Sequence, residues 1–69
     1  MSDDEKALLV ALAWMAEQYL RVGDQLDSLA MSAGEGAIRM LARYGLVKAD
    51  PIGRTAVWTD AGLSLLDAK

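Results

Sequence analysis

One change of hydrophobic period, at Gly45, most constrains what this chain can fold into. Before it, Ala37, Ile38, Leu41 and Tyr44 recur at helical spacing. After it, residues 46–49 and 55–58 carry β-branched and aromatic side chains in alternation. Between those two short strands lies Asp50-Pro51-Ile52-Gly53-Arg54, in which Pro fixes φ and Gly supplies freedom. A helix, a glycine stop and a small hairpin are therefore predicted in that order. Leu46 follows the stop and can fold back onto the helix.

The flanking segments read as helices. Ser2-Asp3-Asp4-Glu5 has the form of a capping box, and three acids in the first turn suit the positive end of a helix dipole. A first helix is predicted over about 3–20, with Leu8, Leu9, Leu12, Met15, Ala16, Tyr19 and Leu20 on its inner face. Gly23 ends that pattern. Asp24 and Asp27 offer caps for a short second helix over about 25–30, with Leu26, Leu29 and Ala30 apolar. Ser32-Ala33-Gly34-Glu35 repeats the capping box and predicts a third helix over about 33–44, facing inward with Ala37, Ile38, Leu41 and Tyr44. Thr59 and Asp60 cap a last helix over about 60–68, with Leu63 and Leu66 inward.

The absences exclude whole classes of chemistry. With 69 residues the chain makes one domain, 1–69, and a domain this size buries only about 60% of its unfolded surface. It holds no Cys and no His, so the commonest nucleophile, general base and metal ligands are missing. Its four serines have no histidine to activate them, and the lysines read as exposed. No catalytic site, cofactor or metal is expected. The apolar run 7–16 is half the length of a membrane span, and the leader before it is acidic. The expectation is a soluble cytoplasmic protein without a membrane partner.

Three stretches resemble the winged helix-turn-helix superfamily. Asp24-Gln-Leu-Asp-Ser-Leu-Ala-Met-Ser32 is similar to its second helix and turn. Residues 38–47, Ile-Arg-Met-Leu-Ala-Arg-Tyr-Gly-Leu-Val, are similar to the end of its recognition helix. Trp58-Thr-Asp-Ala-Gly-Leu63 is similar to the step from wing to final helix. The implied fold is mostly α with a small β-hairpin, in the order α, α, α, β, β, α. The resemblance implies double-stranded DNA as partner, with the third helix in the major groove and the hairpin wing on the backbone. Arg39 and Arg43 would face DNA from that helix, with Gly36 near base edges, and Lys48 and Arg54 would meet phosphate from the wing.

Charge follows the same division. Residues 31–54 hold four bases and two acids, whereas the rest holds three bases and eight acids, giving net −3. The acidic balance and the Ala33-Gly34-Glu35-Gly36 start of the third helix, which has no base-reading side chain, support an alternative. In it the chain is an acidic protein-protein interaction module, an adaptor or inhibitor of a nucleic-acid-handling complex, that does not bind DNA. A second apolar patch on the first helix, Val10, Ala11 and Trp14 with Ala7, is a candidate surface for a homodimer or another protein. The competing expectation is that the last helix or the hairpin covers it.

Overall fold

The computed structural model describes residues 2–67. Among them are three α-helices and one antiparallel sheet of four short strands. Helix α1 spans Asp3–Tyr19, strands β1 and β2 span Arg21–Val22 and Gln25–Asp27, and a single 3₁₀ turn spans Ser28–Ala30. Helix α2 follows at Gly34–Arg43, strands β3 and β4 at Val47–Ala49 and Thr55–Trp58, and helix α3 at Asp60–Asp67. The last predicted helical residue, Ala68, lies outside the described residues.

The predicted second helix is not there. Its residues form β2 and the 3₁₀ turn, so the order is α, β, β, α, β, β, α with strand order β1-β2-β4-β3. The cause is local. Val22 pairs with Gln25, leaving Gly23-Asp24 as a two-residue hairpin loop. Gly23 has φ +66° and Asp24 does not have positive φ, the pattern of a II′ turn. Leu26 then pairs with Ala56 of β4 and is buried in the sheet. Asp27 is a cap as expected, but of the 3₁₀ turn, accepting from the Leu29 N–H at 2.9 Å.

Helix ends show what the side chains do. Ser2 accepts from the Glu5 N–H at 3.1 Å, the first half of the predicted box, while the Glu5 carboxylate accepts from the Ser2 hydroxyl at 3.2 Å instead of the Ser2 N–H. The second predicted box does not form: α2 starts at Ala33 without a side-chain cap, and Glu35 turns to Arg39 instead of Ser32. At the other end of α2, Gly45 has φ +72°. Its N–H reaches Ala42 O at 3.0 Å and the Leu46 N–H reaches Leu41 O at 2.9 Å, a Schellman ending. Thr59 accepts from the Gly62 N–H at 3.1 Å and donates to Gly45 O at 2.7 Å, so the α3 cap is tied to the end of α2.

The core lies between the three helices and one face of the sheet. It takes Leu9, Ala13, Ala16 and Leu20 from the α1 segment, Ala37, Ile38 and Leu41 from α2, and Leu66 from α3. Leu46, just before β3, and Leu26, Val47 and Ala56 of the strands complete it, while the strand neighbours Gln25, Lys48 and Val57 face outward, the period-2 alternation of a sheet packed on one side. Four residues expected inside are exposed: Leu8, Tyr19, Tyr44 and Leu63. Each sits at the margin of its helix's buried stripe, where α1, α2 and α3 are too few to enclose it. Among the described residues no helix is long and apolar enough to cross a membrane.

Candidate nucleic-acid interface

Helix α2 is amphipathic because Gly34, Ala37, Ile38 and Leu41 go into the core. That leaves Gly36, Arg39 and Arg43 in one stripe on the opposite side, all exposed. No Cβ neighbour lies within 4 Å at Gly36, so its face is open space. Gly34, two residues earlier and so on the buried side, abuts the Ser28 backbone, with 2.9 Å from a built Cβ to the Ser28 carbonyl carbon. The two helix-start glycines thus differ. Gly34 allows the 3₁₀ turn to approach α2, and Gly36 serves no contact within the described residues.

The bases are not equally available. Arg39 Nη2 donates to Glu35 Oε1 at 2.7 Å one turn away, with both side chains more than two-thirds exposed. Arg54 Nε lies 3.8 Å from Asp27 Oδ1, a carboxylate that also holds the 3₁₀ turn. Arg43 and Lys48 have no carboxylate within ion-pair distance among the described residues. Exposed pairs of this kind are worth roughly 0.2–1 kcal/mol, little enough for a phosphate to displace them.

The β3–β4 loop is held by its own hydrogen bonds. Asp50 Oδ1 accepts from the Arg54 N–H at 2.7 Å and the Thr55 N–H at 3.2 Å. The Asp50 carbonyl accepts from the Gly53 N–H at 2.9 Å, and the Asp50 N–H donates to Thr55 O at 2.9 Å. Arg54 therefore stands at the base of the loop beside β2, and its carbonyl accepts from the Ser28 N–H at 2.7 Å. The tip is Pro51-Ile52, both exposed. An open groove lies between α2 and the β3–β4 loop, lined by Ile38, Ala42, Pro51 and Ile52, with Glu35 and Arg39 on the helix side. Lys48 points outward from β3, opposite Val57. Asp50→Ala should cost about 1 kcal/mol of stability and loosen the β3–β4 loop first. Hydrogen exchange at the Arg54 and Thr55 amides should rise while α2 amides keep their protection.

The α1 patch is only partly covered. Val10 is half-buried, Ala7 and Ala11 are exposed, and Trp14 keeps 38% of its surface. The other tryptophan is used internally: Trp58 Nε1 donates to Glu17 Oε2 at 2.7 Å, and Glu17 also pairs with Arg21. Periodicity gives no hint of that pair, because its members are 41 residues apart. Among the described residues no cluster of three or more acids could hold a metal ion. Neither protein-family models, nor curated proteins, nor solved structures give a match to this chain.

Proposed function

We propose that this chain is a small winged-helix DNA-binding protein of the transcription-regulator type, in which α2 contacts the duplex and the β3–β4 hairpin is the wing. The observation that carries it is the uncovered stripe Gly36, Arg39 and Arg43, flanked by a hydrogen-bonded hairpin that bears Lys48 and Arg54. The strand order β2-β4-β3 and the 3₁₀ turn just before α2 support the same reading. In it the turn replaces a full helix in front of the recognition helix. Glu35 acts as a latch, holding Arg39 until a phosphate displaces it.

About four phosphate contacts per chain give a salt slope of about −3.6 in log–log form. Arg39→Ala with Arg43→Ala should flatten that slope by about two and weaken duplex binding uniformly across sequences. Both side chains are exposed, so the melting temperature should hold. An unchanged slope in the double variant would remove α2 from the interface.

One observation favours a second reading, an acidic protein-interaction module. Two of the four bases in this region already sit beside carboxylates. On that reading the wild-type protein shows no salt-dependent duplex binding at all.

A further inference from the structure

Turn chemistry accounts for three of the four residues at the tip of the β3–β4 loop. The Gly53 N–H closes the turn on Asp50 O at 2.9 Å, and Ile52 does not have positive φ. Asp in first place, Pro in second and Gly in fourth are what such a turn favours. Ile52, in third place, has no backbone reason to be there, since turns are dominated by Gly, Pro, Asn, Asp and Ser. It is nonetheless 81% exposed, the most open large apolar side chain among the described residues.

The tip lies beside the α2 stripe. Pro51 and Ile52 share one groove with Glu35 and Arg39, and the same Arg39 belongs to the outward stripe with Gly36 and Arg43. A duplex seated on that stripe therefore meets the tip next. What the tip can offer it is limited, because proline has no N–H and isoleucine no polar side-chain atom. Against a phosphate, such a tip would strip water from a charge and return no side-chain hydrogen bond. The basic residues of the hairpin stand elsewhere, Arg54 beside Asp27 of β2 and Lys48 on β3. Duplex DNA takes in apolar side chains where base steps open in the minor groove, and Ile and Pro are among the residues that enter there.

We propose that Ile52, with Pro51 beside it, is an apolar wedge that enters the minor groove and partly unstacks one base step, so that the chain kinks the duplex it binds. The proposal rests on the DNA-binding reading above and adds a contact of a different kind from the four bases. A wedge adds affinity that salt does not alter, and it favours steps that open easily, TA and CA/TG.

The test uses the full chain and a duplex of about 20 base pairs with one central TA step. Its adenine is replaced by 2-aminopurine, and the two ends carry a donor and an acceptor fluorophore. At saturation in low salt the wild type should brighten the 2-aminopurine and shorten the end-to-end distance as a kink of at least about 20° requires. Ile52→Ala should weaken binding roughly ten-fold at every salt concentration and abolish both signals, with the salt slope unchanged. Ile52→Leu should keep both signals. Ile52→Lys should lose them while steepening the salt slope by about one. Position 52 is a surface turn, so the melting temperature should hold in all three variants. Saturable binding by the wild type with neither signal overturns the wedge and leaves the DNA reading in place. A flatter salt slope in Ile52→Ala, or signals that survive it, overturns the wedge too. No duplex binding at low salt overturns both readings.

Discussion

Gly62→Ala lowers the stability of this domain by about 3 kcal/mol, the upper end of what overpacking costs. The position is closed on two sides. A built Cβ there would lie 2.7 Å from Trp58 Cε3 and 3.0 Å from the Leu46 carbonyl carbon. Neither neighbour can yield. The Leu46 carbonyl already accepts from the Thr59 N–H at 3.1 Å, and Trp58 is held through its indole N–H by Glu17. A domain of this length has only roughly 3–10 kcal/mol in hand. Urea unfolding followed by circular dichroism should therefore show the variant at the edge of folding at room temperature. The same substitution at Gly36 should have the opposite sign, raising stability by about 0.5–1 kcal/mol, because that helix position faces open space. Equal effects at the two glycines would refute the packing of α3 against the start of β3.

Leu26→Ala is the second large effect, about 2–5 kcal/mol. Leu26 is 1% exposed and sits mid-sheet, paired with Arg21 on one side and Ala56 on the other. On a short surface helix, as its sequence context suggests, the loss would be much smaller. The midpoint of denaturant unfolding separates the two. A shift of only a few tenths of a kcal/mol would mean that β2 does not join β4.

That residue also shows where the sequence was legible and where it was not. Asp24 and Asp27 look like caps, and three apolar residues follow at near-helical spacing. The competing signal is Gly23-Asp24, a two-residue hairpin loop between Arg21-Val22 and Gln25-Leu26. It prevails because pairing β2 with β4 buries Leu26, whereas one short helix turn would leave it at the surface. Ser32 misled for a related reason: its Glu35 has Arg39 within reach on the same helix face, and that pair forms instead. The helix–Gly45–hairpin–helix run was readable because each boundary has its own chemistry. Gly45 takes positive φ, Asp50 closes the β3–β4 loop, and Thr59 caps α3.

The candidate interface was legible by position but not by pairing. The outward placement of Glu35, Gly36, Arg39 and Arg43 follows from helical period alone. That Arg54 leans on Asp27 depends on β2 lying beside β4, which periodicity does not encode. On α1, the apolar run has more apolar surface than one core face can take. Leu8 and Tyr19 are therefore outside, and Ala13, which the inward set omitted, is inside.

The most direct test of the central claim is a fluorescence anisotropy titration of mixed-sequence duplex DNA with the full wild-type chain, at low and at near-physiological salt. The account predicts saturable binding whose affinity falls with salt at a slope of about −3.6, as four bases displacing counterions require. Anisotropy that stays flat at low salt would contradict it.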